Sequence, residues 1–228
     1  MNGPFAHRCA AEFLGTAAIV LCPVALAAST RLPGSDGGLA VAALASGLPV
    51  GAMILALGPV SGAHLNPAVS VALAAARRFP LREVPGYIAA QCAGGVAAAG
   101  LASALLGPGR NGAHIPTVSM VSAVAIEAVL TFLLVLVVFG SAIDPRARAG
   151  SAAPAITMAV VANVMVGGAA TGGSMNTARS LGPALWAGGE CLSALWIYFL
   201  GPVLGALVAA LVWQHGLGGR GVDRTIQS

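Results

Sequence analysis

Ser61-Gly62-Ala63-His64-Leu65-Asn66-Pro67-Ala68-Val69-Ser70 is matched further along the chain by Thr171-Gly172-Gly173-Ser174-Met175-Asn176-Thr177-Ala178-Arg179-Ser180. The two asparagines stand 110 residues apart, and each copy has small residues before its Asn and an apolar run after it. From Pro67 to Ala76 that run is 10 residues, about 15 Å as a helix and roughly half of a bilayer's hydrocarbon thickness. A segment of that length must dip into the membrane and return. Irregular backbone at such depth is tolerated only where it is buried in protein or lines a wet cavity. Asn suits the start of a half-helix: its side-chain oxygen accepts from free backbone N–H groups, and its amide NH2 is left to point into the cavity. Pro67 fits the next position, where no N–H is needed. Thr177 takes that place in the second copy, with some loss of preorganisation.

The surrounding sequence is that of a membrane protein. With 57% hydrophobic and 8% charged residues and a mean hydropathy of +0.89, the composition excludes an ordinary soluble domain. Charge-poor windows run over Cys9 to Ala28, Leu39 to Gly58, Val84 to Leu106, Val118 to Gly140, Ala152 to Ala170 and Leu192 to Trp213. Each is long enough to cross as a helix, so six spans are expected. Arg8 and Ala25-Leu26-Ala27 give the first window some likeness to a cleaved signal. Glu12 interrupts it, however, and Ala11-Glu12-Phe13-Leu14-Gly15-Thr16 is echoed by Ile126-Glu127-Ala128-Val129-Leu130-Thr131 in the fourth window. The first window is therefore read as a retained span.

Three spans per half is an odd number, so the second copy enters the membrane upside down and a pseudo-two-fold axis lies in the membrane plane. The expected fold is an all-α membrane protein with six transmembrane helices and two re-entrant half-helices in an inverted repeat. It is read as one domain over residues 1–228, with halves at about 8–106 and 117–214. The breaker-rich join Gly107-Pro108-Gly109-Arg110-Asn111-Gly112 reads as an external loop.

All 11 basic residues are Arg. An amino terminus in the cytoplasm puts Arg8, Arg77, Arg78, Arg82, Arg146, Arg148, Arg220 and Arg224 on that side. Only Arg31 and Arg110 then face outward, with Arg179 inside the repeat. This bias places both termini in the cytoplasm of a cell (inner) membrane protein. The net charge of +4 is then topology and not a nucleic-acid surface. Cys9, Cys22, Cys92 and Cys191 form no CxxC pair and no metal-ligand spacing with a His, so they read as packing residues. No metal or cofactor is expected, and no enzyme.

Inverted halves bring the amino termini of the two half-helices together near the midplane. Their positive dipole ends face one point and disfavour cations there. On these features the chain resembles the aquaporin, or major intrinsic protein, family, from Ala11-Glu12-Phe13-Leu14-Gly15-Thr16 to Gly201-Pro202. Ser180 after Arg179 is similar to the water-channel branch, since glycerol facilitators carry Asp there; Asn-Thr-Ala in place of the second Asn-Pro-Ala is the departure. The resemblance implies a homotetramer in the lipid bilayer, passing small neutral solutes. It also implies a four-residue constriction, which falls by gapless counting on Ser46, Val164, Gly173 and Arg179, and pore-facing carbonyls at Ala63, His64, Gly172, Gly173 and Ser174. Strict water channels carry an aromatic and a His at the first two constriction positions. Small residues here resemble instead the plant nodulin-like channels and bacterial relatives that pass metalloid hydroxides such as boric or arsenous acid. Arg179 would repel cations and donate to hydroxylated solutes.

Several residues have competing readings. Glu12 and Glu127 could relay protons; their symmetric placement, with the family resemblance, favours acceptors that hold the re-entrant loops. His64 is either a protonation gate or a packed, hydrogen-bonded residue. Gly201 and Gly205 form a GxxxG, between protomers or within one. Gly94-Gly95 reads as close helix packing. The function expected is a passive channel for water and metalloid acids or small polyols. The alternatives are an ordinary water or glycerol channel, a secondary transporter, and a scaffold with a closed pore.

Overall fold

Long runs without polar interruption give helices that are apolar all round, and their length is fixed by where glycine, proline and polar residues cluster. The computed structural model describes residues 3–30 and 37–218. Arg31, Arg220 and Arg224, counted above for topology, lie outside the described residues. The elements are α1 (Phe5–Ser29), α2 (Leu39–Ser61), α3 (Pro67–Ala75), α4 (Val84–Leu106), α5 (Met120–Val138), α6 (Ala152–Thr171), α7 (Thr177–Ala187), α8 (Gly189–Ser193) and α9 (Ile197–Val212). Among the described residues, six stretches are long and apolar enough to cross a membrane, and α3 and α7 are the short helices after the two asparagines. The protein is thus an all-helical, multi-pass membrane protein.

The sixth span differs from its expected form. The window Leu192 to Trp213 reads as a single span, and the span is present, but α8 stops at Ser193 and α9 starts at Ile197. A turn over residues 194–196 joins them, with Ile197 N–H bonded to the carbonyl of Ala194. At their far ends α5 and α9 each relax into a π turn, Phe139–Ile143 and Trp213–Leu217. Phe139 stacks on Trp213 there, at 5.5 Å between centroids and 11° between planes.

Helices pair as the repeat requires: α1 packs on α4, α5 on α9, and α2 on α6 across the two halves. Glycine sets the closest approaches. A Cβ on Gly94 would strike the carbonyl of Phe13, and one on Gly95 that of Ala178. In the second half, a Cβ on Gly205 would strike the carbonyl of Ala128, and one on Gly201 would lie 2.7 Å from Cβ of Glu127. The GxxxG of α9 is therefore used against α5 within one chain. Large apolar residues such as Leu55, Leu105, Val121 and Val166 point outward instead, toward the hydrocarbon.

Ion pairs mark the two ends. Arg8 holds Glu83 through two bonds of 2.6 and 2.8 Å, tying the start of α1 to that of α4. At the same end Arg146 bonds both Asp144 and the carbonyl of Leu217. At the opposite end Arg110 meets Glu190 at 3.3 Å on the surface. All four cysteines are free.

Candidate functional site

Each re-entrant loop hangs from one buried carboxylate. Glu12 on α1 accepts from the Ser61 hydroxyl at 2.7 Å, the backbone N–H groups of His64 and Leu65 at 2.9 and 2.7 Å, and the Gln91 amide at 2.8 Å. Glu127 on α5 accepts from the Thr171 hydroxyl at 2.7 Å and from the N–H groups of Ser174 and Met175 at 2.9 and 2.8 Å. Tyr87 and Tyr198 each donate to the carbonyl where α2 or α6 ends, Ser61 at 2.8 Å and Thr171 at 2.7 Å. Both carboxylates are fully buried and stand behind the loops, not on the cavity wall.

Leu65 and Met175 have positive φ, +52° and +54°, a conformation that non-glycine residues adopt only when their surroundings force it. Here the forces are visible. Each turns its N–H to its own glutamate and its carbonyl to the opposite half: Asn176 donates to the carbonyl of Leu65 and Asn66 to that of Met175, both at 2.8 Å. The amide NH2 groups are therefore not simply directed into the cavity. One N–H of each Asn locks the two halves together.

The side-chain oxygens cap the half-helices. Asn66 accepts from Ala68 at 2.9 Å, and Asn176 from both Ala178 and Arg179 at 3.0 and 3.2 Å. Thr177 bonds the carbonyl of Tyr198 on α9 at 3.0 Å, an anchor that proline does not provide. The substitution thus replaces local preorganisation with a tertiary contact.

One cavity of about 500 Å³ runs past both asparagines. Its wall includes Ser46, Val164, Gly173 and Arg179, the segment Ala63 to Asn66, and the segment Gly172 to Asn176. The residues singled out in the sequence thus come together, the two glutamates excepted. Ser46 directs its hydroxyl back to the carbonyl of Ala42 at 2.8 Å. Gly173 has φ +59°, and a Cβ there would lie 3.1 Å from Cα of Val164, so its side-chain direction faces α6 and not the cavity. Arg179 donates to the carbonyl of Gly112 at 2.9 Å. At the other end the wall holds Arg78, Asp144 and Arg148. Two side-chain bonds and a backbone bond from Arg146 hold the Asp144 carboxyl down to about 2.

His64 rests its Nδ1 3.1 Å from the Ser70 hydroxyl, between the rings of Phe79 and Tyr87. Sequence reading passed over its counterpart. His114, from the loop between α4 and α5, sets Nδ1 3.0 Å from the Ser180 hydroxyl. Its motif copy has no His at all, and only the apolar neighbours Ile115 and Pro116 hint that this loop residue is buried. Gln91, also overlooked, bridges Glu12 and Ser70.

The model for the major intrinsic protein family matches residues 2–213. This chain belongs to that family. Among curated relatives, aquaporin NIP1-3 of Oryza sativa subsp. japonica is 40% identical over 215 residues, covering 93% of this chain and 74% of that protein. Aquaporin NIP6-1 of Arabidopsis thaliana is 39% identical over 205 residues, covering 90% and 67%. The aquaglyceroporin of Plasmodium falciparum, solved by X-ray methods, superposes with a TM-score of 0.85 over 93% of this chain and 97% of its own, at 23% identity, which speaks for the fold. The protein is accordingly a membrane channel for water or small neutral solutes and not an enzyme.

Proposed function

We propose that this channel has a wide constriction and passes metalloid hydroxides, such as arsenous and boric acid, or small polyols alongside water. The observation that carries this is the composition of one cavity wall: Ser46, Val164, Gly173 and Arg179 border the same space, and none of the first three contributes a ring. The Ser46 hydroxyl is engaged on its own helix and Val164 is aliphatic, so that wall is less polar as well as smaller. Arg179 then supplies the hydrogen-bond donors that a hydroxylated solute needs. Two half-helix amino termini and Arg179 together disfavour cations along the path. We place both termini in the cytoplasm of a cell (inner) membrane and read the assembly as a homotetramer.

Stopped-flow swelling of proteoliposomes tests this, with water, glycerol, urea, boric acid and arsenous acid as the panel. Flux is expected to be linear in gradient, indifferent to proton or sodium gradients, and substantial for at least one solute larger than water. Water flux alone would reduce the protein to a strict water channel. Saturable, ion-driven uptake would make it a transporter.

A further inference from the structure

We infer that His114 is a positioning residue for the solute constriction, and that the loop it sits on braces the filter from behind. This rests on the wide-filter channel reading. The loop between α4 and α5 touches the second re-entrant segment at two places and the end of α6 at a third. The carbonyl of Gly112 accepts from Arg179 at 2.9 Å. His114 meets the Ser180 hydroxyl at 3.0 Å. Thr117 bonds the carbonyls of Ala169 and Ala170 at the end of α6.

Of the three, His114 reaches furthest inward. It is buried, and its ring lies 5.3 Å from that of Tyr198. Gly172, at φ +90°, lies so close that a Cβ there would strike the imidazole. The ring therefore backs the backbone of Gly172, next to the constriction position Gly173. From Ser180 the contact continues to the Ser174 hydroxyl at 2.6 Å, and Ser174 donates to the carbonyl of Asn176 at 2.9 Å. A chain of hydrogen bonds thus joins the external loop to the pore asparagine.

The first half takes the equivalent histidine from its own motif. There the His lies in the motif itself, and Ser70 is met by His64 and by Gln91, which continues to Glu12. Ser70 and Ser180 each stand four residues after their Asn. In the second half Ser174 occupies the His64 position, and the imidazole arrives from outside the repeat. The consequence is asymmetric: among the described residues, the serine of the half that carries Arg179 takes its histidine contact from the loop between α4 and α5, and that of the first half takes it from its own motif.

The test uses His114→Ala, His114→Asn and Ser180→Ala in proteoliposomes, with glycerol and water permeability measured on the same vesicles. His114→Ala and Ser180→Ala should each change the glycerol-to-water ratio at least threefold, and the double substitution should change it no further than either alone. His114→Asn, which can still reach the Ser180 hydroxyl, should restore most of the wild-type ratio. Equal loss of both fluxes in every variant, or no response to the asparagine, would reduce His114 to a packing residue and overturn the inference. Wild-type vesicles that pass water but no larger solute would overturn the wide-filter reading, and this inference with it. A wild type that passes both, with ratios unchanged in the variants, would overturn this inference alone.

Discussion

The two re-entrant loops reach the same geometry by different means. In the first, nearly all support is internal to the half: Glu12 collects four bonds, Gln91 links it to Ser70, and Pro67 starts the helix. In the second, Glu127 collects three bonds, Thr177 is anchored on α9 of the same half, and Ser180 is met from outside the repeat, by His114 of the loop between α4 and α5. The difference teaches where the inverted repeat is strict and where it is free. The carboxylate, the tyrosine and the reciprocal asparagine bonds are duplicated because they fix the backbone where the two halves meet. What holds the outer parts of each half-helix has diverged, and the second half has diverged toward the side that bears Arg179.

Substitutions at the duplicated close contacts should break both halves and have the largest effect. Gly205→Leu and Gly94→Leu each set a side chain against a backbone carbonyl of the helix packed on it, Ala128 on α5 and Phe13 on α1. Loss of nearly all monodisperse protein is expected for both by fluorescence-detected size exclusion. Survival of either would mean that its helix pair is looser than the structure has it.

Removing a carboxylate should come next, and should separate the halves. Glu12→Ala leaves four donors without their acceptor and Glu127→Ala three, at about 1–3 kcal/mol for each donor left buried and unpaired. Thermal melts in detergent should place both far below wild type, with Glu12→Ala the lower. The reverse order would show that the further anchors of the second loop, at Thr177 and Ser180, contribute less than proposed. At the asparagines the ranking inverts: Asn176→Ala should lose more than Asn66→Ala, by about 0.5–1.5 kcal/mol, because its oxygen caps two N–H groups and not one.

Thr177→Pro probes the divergence itself and should do little. It restores a residue suited to the first helical position but removes the bond to Tyr198. A melting temperature within a few degrees of wild type and water flux within about twofold are expected. A large gain in either would mean that local preorganisation outweighs the tertiary anchor.

The smallest effect expected is that of pH on the charged mouth. Asp144 is held near 2, below its ordinary 3.8, so the contribution of its pair with Arg146 is complete above about 4 and fades only as pH falls through about 2. Flux should be flat between pH 5 and 8 as far as this group is concerned. An Asp144→Asn variant that created or removed a pH response in that range would contradict this.

How much of this could be read from sequence follows from what repeats. Spans are legible because about 20 apolar residues have few other uses, and Glu12, Glu127, Asn66 and Asn176 are legible because each appears twice in matching context. His114 was missed for the opposite reason: it has no partner in the other half, and a histidine in a breaker-rich loop ordinarily faces water. The break between α8 and α9 was missed because hydropathy does not change across Ala194 to Trp196, where only the hydrogen-bond pattern does. Counting from the asparagines brought Gly173 to the cavity wall, but not the direction of its absent side chain, which depends on a φ of +59°.

The most direct test of the wide constriction is to narrow it. Ser46→Phe combined with Val164→His puts a ring and a polar edge on the wall that now has neither, and glycerol, boric acid and water permeabilities are then measured on the same vesicles. A fall of tenfold or more for the larger solutes, with water flux within about threefold of wild type, is the predicted result. Equal loss of all three, or no change in any, would contradict the account.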